Sequence, residues 1–539
     1  MRTPALLPEL IRRSAERAPQ ALALTHGEVG CTYSDLAVAV DRFAAALAAL
    51  SLGRGERVAI YLEKRPEAVM ASFGAAAAGA VFVPVNPLLK PEQVAFILRD
   101  CNVRVLVTSP ERLPSLTAAL DSCDELRFVL TTGGAVSPTG PEHCGLSKWQ
   151  QFGWDELPDL PHAGAHRMID ADMAAIFYTS GSTGSPKGVV LSHRNLVAGA
   201  QSVASYLENS AQDTLLAALP LSFDAGFSQL TTAFLAGGRV VLLNYLLPRD
   251  VLKAMAAERV TGLTAVPPLY LQLARLEWPA EAVQNLRYFA NTGGRLPTET
   301  LTLLRGKAPR AKPFLMYGLT EAFRSTYLQP SEVDRRPDSI GKAVPNAEVL
   351  VLRADGTPCA VEEPGELVHR GALVSMGYWN KPVQTAERFK LLPTDAPGRD
   401  LGLPLPEYAV FSGDTVRMDA EGFLYFVGRN DEMIKTSGYR VSPTEVEEVL
   451  YSTGLVTECA AFGVPHAVLG SAIQVVATKS ISAGAEAHNS LIDQCRERLP
   501  AYMVPAGIAL VDGALPRNPN GKIDRKRLSQ QWSERGGAA

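Results

Sequence analysis

The sequence predicts an α/β fold of more than one unit. Two observations carry that expectation. Short β-rich runs alternate with apolar helical stretches through the first part of the chain, and beyond Glu348 the texture changes to strands separated by turns. Residues 58–61, 81–83, 103–107 and 128–131 read as strands, with an apolar helix over 35–50 beside them. The most apolar stretch, 68–83, is shorter than the ~20 residues of a bilayer-spanning helix. It reads as a buried alanine-rich helix running into a strand, so no membrane span is expected. Further on, VLVLRADG, GELVHRG and FLYFVGR read as strands. DAEG places Asp419 and Gly422 as a type I turn prefers, which makes 415–427 a hairpin. A new unit is expected after Arg429. There Ser442, Pro443 and Glu445 have the spacing of an N-cap, an N1 proline and a capping-box partner for a helix over 444–450. The polar end SQQWSERGGAA reads as frayed.

Composition narrows the function classes. The 539 residues are 47% hydrophobic and 20% charged, ordinary for a soluble globular chain and unlike a coiled coil or a disordered one. The formal net charge of -4 lacks the basic excess of a nucleic-acid binder. Seven cysteines, an odd number without a C-x-x-C pair, argue against a zinc site or a disulfide framework. They suit a reducing cytoplasm. The N-terminus MRTPALLPELIRRSAERAPQ has no apolar secretory core, so a cytoplasmic protein is expected.

The strongest local signal is FYTSGSTGSPKGVVLSH, from Phe177 to His193. An apolar run feeds a loop of Thr, Ser and Gly ending in Lys187. Small residues let backbone N–H groups approach phosphate oxygens, hydroxyls add donors and the lysine adds charge. The loop lacks the Gly-Lys-Ser/Thr ending of a Walker A motif and the spacing of a kinase glycine loop. The whole string resembles the phosphate loop of the adenylate-forming superfamily, which comprises acyl-CoA synthetases, peptide-synthetase adenylation domains and firefly-type luciferases. Further motifs in the same order extend the resemblance over nearly the whole chain.

What the resemblance implies can be written residue by residue. The fold would be a large N-terminal domain of layered sheets and helices (1–430) with a small mobile α+β C-terminal domain (431–539). Thr179, Ser180, Gly181, Ser182, Thr183, Gly184 and Lys187 would cradle the phosphates of ATP. In YGLTE, Tyr317 would stack on adenine, Thr320 would contact the α-phosphate, and Glu321 with Thr183 would help hold Mg²⁺. NTGGR would line the adenine site through Gly293, Gly294 and Arg295, although family members usually carry a small residue at the arginine's position. Asp414 would clamp the ribose hydroxyls, with Arg429 as a second ribose contact and Arg440 as a phosphate contact. Asp431 matches the hinge residue, Gly438 the glycine beside the thiol tunnel, and Lys522, in NPNGKIDRKRL, the catalytic lysine of adenylation. Glu445 is expected to cap its helix.

The implied activity is that of an ATP-dependent, AMP-forming ligase that activates a small carboxylic acid as acyl-AMP and passes the acyl group to a pantetheine thiol. No carrier module or G-x-D-S signal follows Lys522, so CoA or the phosphopantetheine of a separate carrier protein is expected as acceptor. For the acid, Phe223 and Asp224 in ALPLSFDAGFSQL occupy the pocket-lining stretch. Two interpretations of Asp224 stay open: an anchor for a substrate ammonium, which points to an amino or imino acid, and a helix N-cap. A fatty or aryl acid is the alternative substrate. A luciferase-like oxidase and a non-catalytic nucleotide binder are the rival classes.

Overall fold

The computed structural model describes residues 3–133, 148–157, 166–179, 186–294, 296, 298–400, 402–403, 405–429, 434–441, 443–480, 487–516 and 523–536. Three sheets organise the chain. A 7-stranded sheet runs in the order Gln150–Gly153, Phe128–Thr131, Val103–Thr108, Arg57–Tyr61, Val81–Pro84, Met173–Thr179, Lys187–Ser192. Its strands are parallel except for the final antiparallel pair. Helices cover both faces, so these strands read as continuous apolar runs rather than alternating ones.

The second sheet has 14 strands. Its first part is a parallel block containing Thr214–Ala217, Gly262–Ala265, Tyr288–Asn291 and Lys312–Tyr317. Its second part is antiparallel and includes Ala347–Leu352, Gly365–Gly371, Tyr408–Met418 and Leu424–Arg429. The texture change beyond Glu348 is therefore a change of strand direction within one sheet, not a separate layer. The expected hairpin over 415–427 is present, with the Gly422 N–H donating to the Asp419 carbonyl across the turn.

Helices Pro66–Ala77, His193–Tyr206 and Asp224–Ala236 lie between the two large sheets in one shared core. Past Glu67 in its first turn, Pro66–Ala77 carries only apolar or small residues, as a helix packed on nearly every side must, and it runs into strand Val81–Pro84 as the sequence predicts. Phe227 ties the layers together, with ring centroids 5.6 Å from Phe73 and 4.8 Å from Phe82. Among the described residues no helix is long and apolar enough to cross a membrane.

The third sheet, of 5 strands, is built from Ile434–Thr436, Tyr439–Val441, Val456–His466, Gly470–Lys479 and Gly507–Val511. It has its own core on one face, centred on Val446, Leu450, Val475 and Leu491. Two local expectations need correction here. The C-terminal stretch is not frayed from Ser529: helix Arg525–Gly536 packs Leu528 and Trp532, one turn apart, against Phe462 and Val476. That apolar i, i+4 pair is enough to dock an otherwise polar segment. Glu445 does not cap helix Pro443–Ser452 but turns its carboxyl toward Gln93. Ser442, the expected N-cap, and Asp431, the expected hinge, lie outside the described residues.

Two histidines in the large domain are fully buried. His193 Nδ1 accepts the Leu7 N–H at 3.1 Å, and His369 Nδ1 lies 3.1 Å from Ser325 Oγ. Burial lowers both from 6.5 to about 4, with Asp172 and Asp170 only partly opposing this at His193. Both rings are neutral in the native state. Between about pH 4 and 6.5 the unfolded chain binds more protons, so these groups make stability rise with pH across that window and add no slope above it. A series of Tm against pH should therefore fall steeply below pH 6.5, with a shallower fall in His369→Gln; a flat profile there would contradict neutral burial.

Candidate active site

The carboxyl ends of strands Val81–Pro84, Met173–Thr179, Tyr288–Asn291 and Lys312–Tyr317 open on one cavity of about 540 Å³. Open α/β sheets bind ligands at that end, because side chains from successive loops converge there. The C-terminal unit closes the cavity with Lys435, Gly438, Tyr439, Glu445 and Tyr502.

One wall is built from strand ends. Tyr317 ends its strand and its hydroxyl donates to Asp414 Oδ2. Asp414 is buried and pairs in register with Arg429, whose side chain lies outside the described residues. Phe426 faces Tyr317 with centroids 6.5 Å apart, and Lys435 Nζ sits 5.3 Å from the Phe426 ring. Gly293 and Gly294 line the cavity beside Val266 and Pro267. Arg295 lies outside the described residues.

The opposite wall follows from the hairpin that carries the glycine-rich loop. Thr179 and Lys187 are direct partners across that hairpin, so the loop is tethered at both ends. Ser180, Gly181, Ser182, Thr183 and Gly184 lie outside the described residues. Lys187 is buried, with its ammonium 5.2 Å from the Tyr378 ring. The Tyr378 hydroxyl donates to Glu321 Oε1 at 2.6 Å. Thr320 and Glu321 sit in the 3-10 turn Thr320–Ala322 and both line the cavity. A cation, a phenol and a carboxylate therefore form one chain. Tyr378 carries no motif signal in the sequence and is legible only from this geometry.

Phe223 and Asp224 form a further part of the lining. Phe223 precedes helix Asp224–Ala236, and Asp224 is that helix's first residue rather than its N-cap. The Asp224 carboxylate accepts the Ala225 N–H at 2.7 Å and lies 3.9 Å from Arg324 Nη1. Arg324 also lines the cavity and was not anticipated. No described histidine lines it.

The two units touch directly here. Phe223 meets Tyr439 edge-on at 4.8 Å, and Tyr439 stacks on Tyr502 at 3.6 Å. Gly438 has φ +81, and a Cβ there would stand 2.9 Å from a Val266 methyl carbon. Only glycine fits both that conformation and that approach. Gln93 Nε2 donates to Glu445 Oε1 at 3.4 Å, while Glu445 Oε2 is shielded from solvent with no partner among the described residues. Arg440 pairs with Lys435 in register, its side chain lying outside the described residues, as does Lys522.

With this geometry in place, comparison with known proteins is decisive. The AMP-binding enzyme family matches residues 11–379, and the AMP-binding enzyme C-terminal domain matches residues 445–522. The chain belongs to the AMP-binding enzyme family. Feruloyl-CoA synthase of an Amycolatopsis species is 31% identical over 527 residues, covering 96% of this chain and 98% of that protein. A linear gramicidin synthase polypeptide of Brevibacillus parabrevis is 30% identical over 529 residues, 96% of this chain. The chain spans only 6% of that polypeptide's length, and 10% of a second linear gramicidin synthase polypeptide from the same organism. Among solved structures, o-succinylbenzoate CoA synthetase from Bacillus subtilis, bound with its product analogue, superimposes with a TM-score of 0.80 at 28% identity, over 97% of this chain and 98% of that one. The expected α/β architecture, with a large N-terminal and a smaller C-terminal domain, is borne out.

Glu445 sits at the contact between the AMP-binding units, and its environment gives a pH dependence. Burial, reinforced by the like charge of Glu448, raises its carboxyl from 4.5 to about 8, with the Gln93 hydrogen bond opposing. In this contact the carboxyl holds its proton, and a solvated carboxyl, were the units to separate, would release it. Docking is thus fully supported below pH 4.5 and weakens as pH rises toward about 8. Glu445→Gln should remove the trend. Small-angle scattering against pH checks this: equal pH dependence in both proteins would show that Glu445 does not control docking.

Proposed function

We propose that this chain is an ATP-dependent, AMP-forming carboxylate–thiol ligase. The observation that carries it is one cavity walled by Tyr317 with Asp414, by Lys187, Tyr378 and Glu321, and by Gly438 from the C-terminal unit. Its CoA-ligase relatives over nearly the whole length support the same conclusion.

In the first half-reaction the acid carboxylate attacks the α-phosphate of ATP in line and pyrophosphate leaves. Such chemistry depends on positioning and on charge neutralisation. Tyr317 and Phe426 hold the adenine, and Gly293 and Gly294 let the backbone approach it. Asp414, oriented by the Tyr317 hydroxyl, accepts the ribose hydroxyls. Lys187, with Thr179 and the loop 180–184, holds the phosphates. Thr320 contacts the α-phosphate, and Lys522 stabilises the charge that builds there. Glu321 and Thr183 would hold Mg²⁺, which supplies further neutralisation of the phosphates; one carboxylate beside phosphate oxygens suits that ion. Tyr378 fixes the Glu321 carboxylate in orientation.

In the second half-reaction the thiol of CoA or of a carrier protein's phosphopantetheine attacks the acyl carbonyl and AMP leaves. We assign 1–430 to the N-terminal domain and 431–539 to the C-terminal domain, with Asp431 as hinge. Gly438 against Val266 is the arrangement suited to this second step. Free thiols at Cys31, Cys101, Cys123, Cys359, Cys459 and Cys495 fit a reducing cytoplasm.

The acid has two candidate classes. Asp224 in the cavity lining favours an amino or imino acid. Arg324, 3.9 Å from that carboxylate, already supplies a cation and favours an acyl or aryl acid.

Two variants separate the half-reactions. Lys522→Ala should slow acyl-AMP formation by ~10²–10³, as loss of a preorganised charge donor does, and should leave thioester formation from supplied acyl-AMP intact. Gly438→Ala should do the reverse, because its methyl meets Val266. Pyrophosphate release and thioester yield measure the two steps; both variants failing in the same step would contradict the alternation. Acid-dependent pyrophosphate release itself, trapped with hydroxylamine, tests the ligase assignment.

A further inference from the structure

Arg324 is 3% exposed, yet its guanidinium makes no hydrogen bond among the described residues. Its Nε is shielded from solvent without a partner, and Nη1 is 3.9 Å from Asp224 Oδ2, beyond hydrogen-bond range. A buried guanidinium ordinarily has its donors satisfied, because the charge loses its hydration. Here Arg324 lines both the cavity and a small recess beside it.

The backbone is bent just before Arg324. Phe323 has φ 53 and ψ -44, and the Arg324 N–H donates to the Ala322 carbonyl at 2.6 Å. This is a γ-turn of the rare positive-φ kind, a strained conformation that persists only when its surroundings enforce it. Packing enforces it: the fully buried Phe323 ring occupies the space that a Cβ on Gly199 would need.

Beside Arg324, which lines both spaces, lies a second, water-sized recess of about 10 Å³ where Ser228, Gln229, Thr232 and Thr264 stand among apolar neighbours such as Leu207 and Leu215. Ser228 Oγ, Thr232 Oγ1 and Gln229 Oε1 are shielded from solvent and lack partners among the described residues. The Gln229 amide is fixed by donating to the Leu216 carbonyl at 2.7 Å. Ser228 and Thr232 are one turn apart on helix Asp224–Ala236, so both hydroxyls lie on one face. An alkyl tail would leave every one of these groups unsatisfied. A second full carboxylate would meet the charge of Asp224.

We propose that Arg324, with Ser228 and Thr232, recognises an uncharged oxygen substituent, a hydroxyl or carbonyl, at the end of the substrate acid farthest from the reacting carboxylate. This rests on the ligase assignment and gives the substrate class at the same site. Arg324 is then a specificity-determining residue, and the reaction it serves is unchanged.

The test is a matched set of acids on one skeleton whose far end carries hydrogen, hydroxyl, keto or carboxylate. Hydroxylamine-trapped acyl-AMP and pyrophosphate release are measured with wild type, Arg324→Met and Arg324→Lys, and ATP binding by calorimetry serves as the folding control. Wild type should favour the hydroxyl or keto acid over the hydrogen-terminated acid at least ~10-fold in kcat/KM, since a polar pocket rejects an analogue lacking its hydrogen-bonding group. Arg324→Met should collapse that ratio mainly through KM, and Arg324→Lys should restore part of it. Wild-type preference for the hydrogen-terminated or the carboxylate-terminated acid overturns the proposal. So does an unchanged ratio in an Arg324→Met protein that binds ATP normally. Should no acid draw pyrophosphate while wild type binds ATP, the ligase assignment itself falls and takes this inference with it; pyrophosphate release with any acid leaves that assignment standing whatever the preference.

Discussion

The contact of Gly438 with Val266 is the constraint around which the site is arranged. Two units with separate cores share one cavity, and that cavity is complete only where a loop of the smaller unit reaches the strand ends of the larger one. The approach needs a residue with no side chain and a left-handed backbone. The aromatic stack of Phe223, Tyr439 and Tyr502 supplies attraction beside it. Flat rings tolerate sliding better than interdigitated aliphatic side chains do.

Within the large domain the charged groups are held by neutral ones. Tyr317 orients Asp414, and Tyr378 orients Glu321 while its ring faces Lys187. A phenol gives a carboxylate one directed hydrogen bond and leaves its charge intact. A lysine or arginine in the same place would cancel that charge. The cavity thus keeps both signs of charge available while fixing where they point.

The sequence made the layered fold legible because its parallel strands are short apolar runs bounded by turns, and because helix Pro66–Ala77 is apolar or small beyond its first turn. Tyr317, Asp414 and Gly438 were legible because each sits in an unbroken motif. Tyr378, Gln93 and Arg324 were not. They come from segments far apart in the chain, and their significance lies in what they face across the cavity. Glu445 shows the limit most clearly. Its spacing suits a capping box, yet its carboxyl turns to another domain, a choice that no local pattern encodes. The same holds for Leu528 and Trp532, whose two apolar side chains dock a segment that its composition alone would leave loose.

The tight fit of Phe323 against Gly199 has a consequence for how this pocket can change. Gly199 is on helix His193–Tyr206, and no atom of it lines the cavity. It nevertheless supports the bend that aims Arg324. On the role proposed for Arg324, selectivity would drift through a residue outside the cavity lining, and a survey confined to lining residues would overlook it. An engineer seeking new acids would do well to vary Gly199 and Phe323 as a pair, resetting the angle of one arginine while the walls at Tyr317, Asp414 and Lys187 stay as they are.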